Sequence, residues 1–153
     1  MASFEAVENV LRETQKYEMF GGNTWRRVKL VSVLPDCCVF QLTVEPKDAN
    51  PGGGLHGACI AQLIDMGTSV LIKCMSEEGF QYGTGVSTEM NISFVSGAVV
   101  GDVVEVECKV VKRGKNLAYT LTHLKRVTPN KKPTIIAYGG HTKFNLDTRS
   151  NNL

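Results

Sequence analysis

The segment from Asn50 to Asp65 brings together four groups that could act on a carbonyl or on water. A glycine-rich loop begins at Asn50 and ends in His56-Gly57, and an apolar run over residues 55–75 follows. Asp65 is the only acidic residue of that run. A side-chain amide, an imidazole, a glycine N–H and a carboxylate are groups that polarise a carbonyl oxygen or activate a nucleophile. This spacing indicates an active site, although each residue also has a structural interpretation.

Asp65 is expected in an apolar helix with no charge close to it. The nearest basic residue in the run, Lys73, lies two turns further on. A core helix rarely carries an unpaired carboxylate, and an apolar setting destabilises the charged form, which makes a carboxylate a better base. We therefore expect Asp65 to activate water as a general base or to attack as a nucleophile. The alternative is a structural aspartate held by Thr68, Ser69 or a neighbouring strand.

Gly57 lies at the predicted start of this helix, where backbone N–H groups lack partners and the helix dipole is positive. Because glycine has no Cβ, an acyl carbonyl could approach its N–H closely and place an oxyanion there. The alternative is that Gly57 only permits a tight turn from loop to helix. His56 is either a general base or a residue that orients the loop, and Asn50 has the type and position of a turn-forming residue.

The pattern along the chain predicts one long helix and an antiparallel sheet. Ser3 can cap a first helix over about residues 4–20, and the central apolar helix covers about residues 55–76. Alternating apolar and polar residues predict six strands, at residues 28–34, 39–45, 86–95, 103–112, 116–126 and 134–145. We expect residues 1–153 to form one α+β domain, with the sheet wrapped around the central helix, and a short flexible tail at about residues 148–153.

Composition excludes several classes of protein. The chain has 153 residues, of which 42% are hydrophobic, and a net charge of +2. Lys+Arg 17 against Asp+Glu 15 leaves too little excess charge for a nucleic-acid-binding face. Five cysteines without CxxC spacing indicate free thiols in a reducing compartment. We therefore expect no metal site and no cofactor.

The sequence also predicts where the protein resides. Glu5, Glu8 and Glu13 argue against a transit peptide, and no basic segment followed by an apolar stretch indicates a signal peptide. Polar residues interrupt the long apolar run, so we expect no membrane span. The prediction is a cytoplasmic protein, and peripheral association with an organelle such as the mitochondrion stays open.

Six segments of the chain match the order and spacing of one family. They are the loop from Asn50, His56-Gly57, Asp65, residues 85–93, residues 115–120 and His141-Thr142-Lys143. In these segments the chain resembles the hotdog-fold acyl-coenzyme A (acyl-CoA) thioesterases, and among them the small type called thioesterase superfamily member 2. The resemblance runs from the first helix to about residue 147. It implies the hotdog fold and hydrolysis of a medium- to long-chain fatty acyl-CoA to the free acid and coenzyme A.

The resemblance also assigns roles to individual residues. It makes the Gly57 amide the group that polarises the thioester, and it makes Asn50 a residue that positions the thioester or the attacking water. Ser87 matches a serine that binds or orients the water beside the aspartate, and His141 matches a histidine near the site. The phosphates of coenzyme A need cationic contacts, for which the candidates are Lys112, Arg113, Lys115 and Lys143, with Asn116 nearby.

One position departs from the family pattern. Relatives often carry a second glycine after His-Gly, where this chain has Ala58. The extra methyl group could narrow the entrance for the acyl chain, so the preferred chain length stays open.

Helix geometry adds a constraint on the assembly. Gly57 and Asp65 are eight residues apart, and they are therefore separated by about 12 Å along one helix axis. One carbonyl cannot contact both residues within a single subunit. We therefore predict a homodimer in which Asn50, His56 and Gly57 of one chain face the equivalents of Asp65 and Ser87 on the other. The resemblance further implies a homotetramer built from two dimers.

Two other functions fit the same fold. An enoyl-thioester hydratase would need a base in the loop, and Asn50 cannot serve as one. An acyl-CoA sensor or carrier without turnover would be expected to have lost Asp65, Gly57 or Asn50, and all three are present.

Overall fold

The computed structural model describes residues 2–75, residue 80 and residues 83–147, and within those ranges it contains three α-helices and six β-strands. The helices are α1 (Phe4–Gln15), α2 (Gly22–Trp25) and α3 (Gly57–Cys74), and a 3-10 turn covers Pro46–Asp48. The strands are β1 (Lys29–Leu34), β2 (Cys37–Thr43), β3 (Val86–Phe94), β4 (Val103–Arg113), β5 (Leu117–Val127) and β6 (Thr134–Phe144).

The six strands form one antiparallel sheet in the order β1-β2-β4-β5-β6-β3. α3 packs against β2, β4, β5 and β6, and α1 covers another side of α3. This is the α+β hotdog fold that the sequence predicts. β3, the strand that follows the central helix, lies at an edge of the sheet. Among the described strands it pairs with β6 on one side and with none on the other.

Alternation along the strands places the core on one face of the sheet. In β4 the side chains of Val104, Val106 and Cys108 are buried against α3, as their spacing predicts. Gly67 of α3 faces the same strand, and a Cβ built on it would lie 2.8 Å from Cys108 Sγ. The absence of a side chain at Gly67 therefore lets the helix pack directly on the sheet.

The first helix is shorter than predicted. It ends at Gln15 rather than near residue 20, and the chain then turns back through α2, which the sequence pattern did not reveal. The reversal buries Trp25, whose Nε1 donates to Thr14 Oγ1 at 2.9 Å. Gln15 Nε2 donates to the carbonyl oxygens of Trp25 and Val28. Burial of a large aromatic ring therefore outweighs continuation of the helix.

The central helix begins at Gly57 and ends at Cys74, inside its predicted range. Within the described part of the chain it is the one helix long and apolar enough to cross a membrane, and 61% of it is buried inside the fold. The predicted last residue of this helix and the predicted tail at residues 148–153 lie outside the described residues.

Candidate active site

The loop before α3 is anchored by a buried carboxylate. Asp48 accepts hydrogen bonds from Thr24 Oγ1 at 2.5 Å, from the Glu45 N–H at 2.8 Å and from the Arg27 guanidinium at 2.6 Å. Burial alone would raise the pKa of Asp48, but these hydrogen bonds and the charge of Arg27 outweigh it, and the pKa is lowered. The backbone carbonyl of Asp48 accepts from the His56 N–H at 2.8 Å. The start of the helix is thereby tied to the core.

Asn50 shapes the loop through its own side chain. Its Oδ1 accepts from the N–H groups of Gly52 at 2.9 Å and Gly54 at 3.2 Å. This is the turn-forming role that its residue type predicts. Within the described residues the Asn50 Nδ2 group donates to no protein acceptor, and the side chain is exposed. The amide nitrogen is therefore the part of Asn50 that can bind a ligand.

His56 caps the central helix. Its Nδ1 accepts a hydrogen bond from the Ala58 N–H at 3.0 Å, so a neutral His56 ring carries its proton on Nε2. The ring is exposed and lies at the mouth of the site. Of the two roles that the sequence left open for His56, this geometry favours the orienting one, because the Nδ1 lone pair already accepts a hydrogen bond.

Gly57 presents its backbone at the helix start. Among the described residues none accepts a hydrogen bond from the Gly57 N–H. Its φ is not positive, and a Cβ built on it would lie 3.4 Å from the Phe94 ring, an ordinary contact. Neither backbone strain nor packing therefore requires glycine here. The absence of a side chain leaves space beside this N–H for a ligand or for a second chain.

Asp65 has partners that the sequence did not reveal. Its Oδ1 lies 3.3 Å from Lys143 Nζ, 3.5 Å from Ser87 Oγ and 3.8 Å from His141 Nε2. Its side chain is 41% exposed. The expectation of a carboxylate without a neighbouring charge, in an apolar setting, is therefore wrong. The partners come from β3 and β6, which pair with each other beside α3, so the spacing along the helix could not show them.

His141 connects α3 with β3. It is buried, its Nδ1 lies 2.7 Å from Thr68 Oγ1, and its Nε2 lies 2.9 Å from Ser87 Oγ. Burial, and then the charge of Lys143, lower the pKa of His141 to about 4 against the opposing effect of Asp65. His141 is therefore neutral near pH 7, with one ring nitrogen donating and the other accepting. Ser87, His141 and Asp65, which the sequence proposed separately, meet at one place.

Lys143 lies beneath Asp65 rather than at the surface. Its side chain is only 5% exposed, and its Nζ donates to Ser69 Oγ at 2.7 Å and to Asp65 Oδ1 at 3.3 Å. This position argues against the predicted contact between Lys143 and the phosphates of coenzyme A. The side chain is almost fully buried, and both acceptors of its ammonium group belong to α3. Thr68 and Ser69 hold His141 and Lys143, whereas the sequence suggested that they hold Asp65 directly.

Arg113 is also engaged inside the fold. Its guanidinium donates to the carbonyl oxygen of Met75, just after α3, and lies 5.8 Å from the centre of the Phe80 ring. The residue is half-buried. Arg113 therefore fixes the end of the central helix, a role that the sequence did not suggest.

The remaining cationic candidates lie at the turn between β4 and β5. Lys112, Lys115 and Asn116 are exposed. Asn145 holds the turn, because its Nδ2 donates to the Lys115 carbonyl and its N–H to the Asn116 carbonyl, both at 2.8 Å. Leu117 pairs with the end of β6, so the turn lies at the same end of the sheet as Ser87.

A shallow groove runs over α3 toward Asp65. Its volume is about 320 Å³. The lining residues are Phe20, Ala58, Ala61, Gln62, Asp65 and Met90. Ala58, the residue that departs from the family pattern, also lines the adjoining depression of about 220 Å³ beside His56. Both depressions are open to solvent, and of the two only the groove is lined by Asp65, whereas the depression beside His56 also contains Lys47 and Asp48.

Comparison with known proteins assigns the family. The model of the thioesterase superfamily matches residues 52–131 of the chain. Human acyl-coenzyme A thioesterase 13 is 35% identical over 141 residues, which cover 92% of this chain and 93% of that protein. The chain belongs to the thioesterase superfamily. As a member of that family it is a thioester hydrolase.

Solved structures of the thioesterase superfamily share the fold of the chain. The crystal structure of zebrafish thioesterase superfamily member 2 has a TM-score of 0.81 and 28% identity, and it covers 94% of this chain and 99% of its own. The mouse protein of the same name has a TM-score of 0.75 and 32% identity, with 94% and 98% covered. The similarity therefore includes the loop, the central helix and all six strands.

Proposed function

We propose that the protein hydrolyses a medium- to long-chain fatty acyl-CoA to the free fatty acid and coenzyme A. The observation that carries this proposal is the placement of Asp65, whose Oδ1 has partners on β3 and β6 and whose half-exposed side chain lines the groove. Similarity to human acyl-coenzyme A thioesterase 13 along nearly the whole chain supports an acyl-CoA substrate. The groove supports an acyl chain, because most of its lining atoms belong to apolar side chains or to aliphatic parts of polar ones.

The proposed hydrolysis uses two hydrogen-bond donors, the Gly57 N–H and Asn50 Nδ2, and the Asp65 carboxylate as a base. The thioester carbonyl would accept a hydrogen bond from the Gly57 N–H, with the positive end of the α3 dipole behind it. Water attacks the carbonyl carbon while Asp65 takes its proton, and the tetrahedral oxyanion is held at Gly57. When the C–S bond breaks, the leaving thiolate takes the proton back from Asp65. Asn50 Nδ2 would help to position the carbonyl or the water.

A direct attack by Asp65 gives the same products by a second route. Its carboxylate oxygen would bond to the carbonyl carbon, the coenzyme A thiolate would leave, and water would then hydrolyse the mixed anhydride. Ser87 lies between His141 and Asp65, and it could orient the water in either route.

The site would be completed by a second copy of the chain. Gly57 and Asp65 lie about 12 Å apart along α3, too far for one carbonyl to contact both. In the described part of the chain β3 pairs only with β6, so its other edge is free to pair with the same strand of a partner. A two-fold dimer would bring Asn50, His56 and Gly57 of one chain to Asp65 and Ser87 of the other. Two such dimers would form the tetramer.

The β4–β5 turn is the place that we propose for the phosphates of coenzyme A. Lys112, Lys115 and Asn116 are exposed there, and the turn lies two strands away from Ser87. Strands are spaced about 4.8 Å apart, so this distance is roughly 10 Å. The cations would therefore contact the coenzyme near the half of the site that contains Asp65.

The test is an assay of the purified protein with saturated acyl-CoAs from acetyl to stearoyl. Release of free thiol, with a maximum for medium or long chains, is the expected result. An enoyl-CoA is included, because loss of its absorbance without release of thiol would identify a hydratase. Binding of acyl-CoA with neither reaction would identify a sensor or carrier, and either result would contradict the proposal.

A further inference from the structure

The hydrogen bonds that the described residues donate to the Asp65 carboxylate all reach the same oxygen, Oδ1. Lys143, Ser87 and His141 all approach Oδ1, at 3.3, 3.5 and 3.8 Å. Among the described residues none donates to Oδ2, and Oδ2 belongs to a side chain that lines the open groove. One oxygen is therefore tethered, and the other is left for water or substrate.

Lys143 is the charged group among the three side chains that approach Asp65 Oδ1. A buried ammonium group is costly unless a carboxylate compensates its charge. Within the described residues Asp65 is the one carboxylate within 4.0 Å of Lys143 Nζ, and Ser69 Oγ is its other acceptor. The position of the ammonium group is thus determined by residues of α3, four positions apart on the same side of the helix.

The other groups that face Asp65 carry no compensating charge. From β6 the second titratable group is His141, which is neutral near pH 7, and from β3 the facing group is the uncharged Ser87. On α3 itself the nearest cation in sequence is Lys73, two turns away. The positive charge next to Asp65 is therefore supplied by Lys143.

We propose that Lys143 is a positioning residue for the hydrolysis. It fixes Asp65 Oδ1 next to β6 and so leaves Oδ2 for the reacting centre. This inference rests on the proposed function, because it gives Lys143 its role through Asp65. The positioning role differs from the phosphate contact that the sequence predicts for Lys143. Loss of a phosphate contact would weaken substrate binding, whereas loss of positioning would slow turnover.

The test compares Lys143→Met with Lys109→Met in the full-length protein. Lys109 is an exposed lysine of β4 that pairs with Asp36, so it controls for the loss of a positive charge. kcat and KM are measured at pH 7 with an acyl-CoA that the wild type hydrolyses. For Lys143→Met we expect kcat to fall at least about tenfold, because the Asp65 carboxylate loses the group that fixes its position. KM and the Lys109→Met enzyme are expected to stay close to wild type.

Two further variants separate positioning from folding. Lys143→Arg keeps the charge and can still donate to Asp65, so its kcat is expected to exceed that of Lys143→Met, with KM close to wild type. The second is the double variant Asp65→Asn/Lys143→Met. Its residual rate is expected to be close to that of Asp65→Asn alone, because Lys143 affects the rate only through the Asp65 carboxylate. Circular dichroism and oligomer size are recorded for each protein, and a Lys143→Met chain that does not fold leaves the decision to Lys143→Arg.

The outcomes are distinguishable. A wild type that releases no thiol from any acyl-CoA overturns the proposed function. A wild type that turns over, together with a Lys143→Met enzyme of unchanged kcat, overturns only the role of Lys143. A raised KM with unchanged kcat, in Lys143→Met or in Lys143→Arg, would return Lys143 to substrate binding.

Discussion

Gly57 and Asp65 lie eight residues apart on α3, so the N–H at the helix start and the exposed carboxylate are separated by about 12 Å along the axis. One thioester cannot contact both groups within a chain. This separation is the reason that we propose a composite site. In that proposal the oligomer is part of the catalytic machinery.

Mixing two inactive chains tests the composite site. We expect Asp65→Asn and Asn50→Ala to be inactive alone and to recover activity when their subunits exchange. With random exchange half of the dimers are mixed, and one of the two sites in each mixed dimer is intact, so about a quarter of wild-type activity is expected. Exchange is verified by mass spectrometry of differently tagged chains. Verified mixed dimers without activity would contradict the composite site.

Two glycines of α3 should respond oppositely to alanine. Gly57→Ala is expected to keep or slightly raise stability, by up to about 1 kcal/mol, because alanine favours the helix and its Cβ meets Phe94 at an ordinary 3.4 Å. Its kcat is expected to fall by about 10²-fold, as the methyl group displaces the carbonyl from the N–H. Urea unfolding and thiol release measure the two effects.

Gly67→Ala is the matched control for that substitution. Its Cβ would lie 2.8 Å from Cys108 Sγ, so the free energy of unfolding is expected to drop by about 1–3 kcal/mol. A Gly57→Ala enzyme of full activity would argue against an oxyanion at this N–H.

His141 should make stability depend on pH. Burial lowers its pKa from 6.5 to about 4, so between these values the unfolded chain binds a proton that the folded chain does not. Stability is therefore full above pH 6.5 and is lost as the pH falls toward 4, by about 3 kcal/mol. Urea unfolding of wild type and His141→Gln at pH 7, 5 and 4 checks this. The difference between the two proteins should shrink on acidification, and a constant difference would contradict a buried neutral His141.

The Asp48–Arg27 pair should anchor the loop that carries Asn50 and His56. Asp48→Asn weakens three short hydrogen bonds at a fully buried carboxylate, so we expect a loss of about 3 kcal/mol. The exposed Asp36, which pairs with Lys109, is the control, and Asp36→Asn is expected to change stability by less than about 0.5 kcal/mol. Chemical denaturation compares the two, and equal effects would refute the anchor.

Local sequence patterns predict the fold and several residues of the site. Alternation in β4 shows its buried face, and the apolar run after Gly57 shows the central helix, because neighbouring residues determine both. Asp65 stands out because it is an acid in that run. The resemblance adds Ser87 and His141, which local pattern alone leaves without a role.

The partners of Asp65 depend on contacts that sequence spacing does not encode. Lys143 is 78 positions away, and it reaches Asp65 only because β6 packs beside α3 with its inward-facing residues turned to the helix. Trp25 likewise ends α1 early through a contact between separate elements. The sequence places Arg113 next to a turn, where charged residues are usually solvated. Its contact with the Met75 carbonyl oxygen depends on the position of the end of α3 in the fold.

The most direct test of the account is the turnover of Asp65→Asn. Asparagine preserves the shape of the side chain but cannot accept a proton from water or attack as a carboxylate. We predict that kcat for thiol release falls by about 10²–10⁴-fold relative to wild type, with folding and oligomer size unchanged. An Asp65→Asn enzyme that keeps nearly wild-type kcat would contradict the central claim that this carboxylate activates the attack.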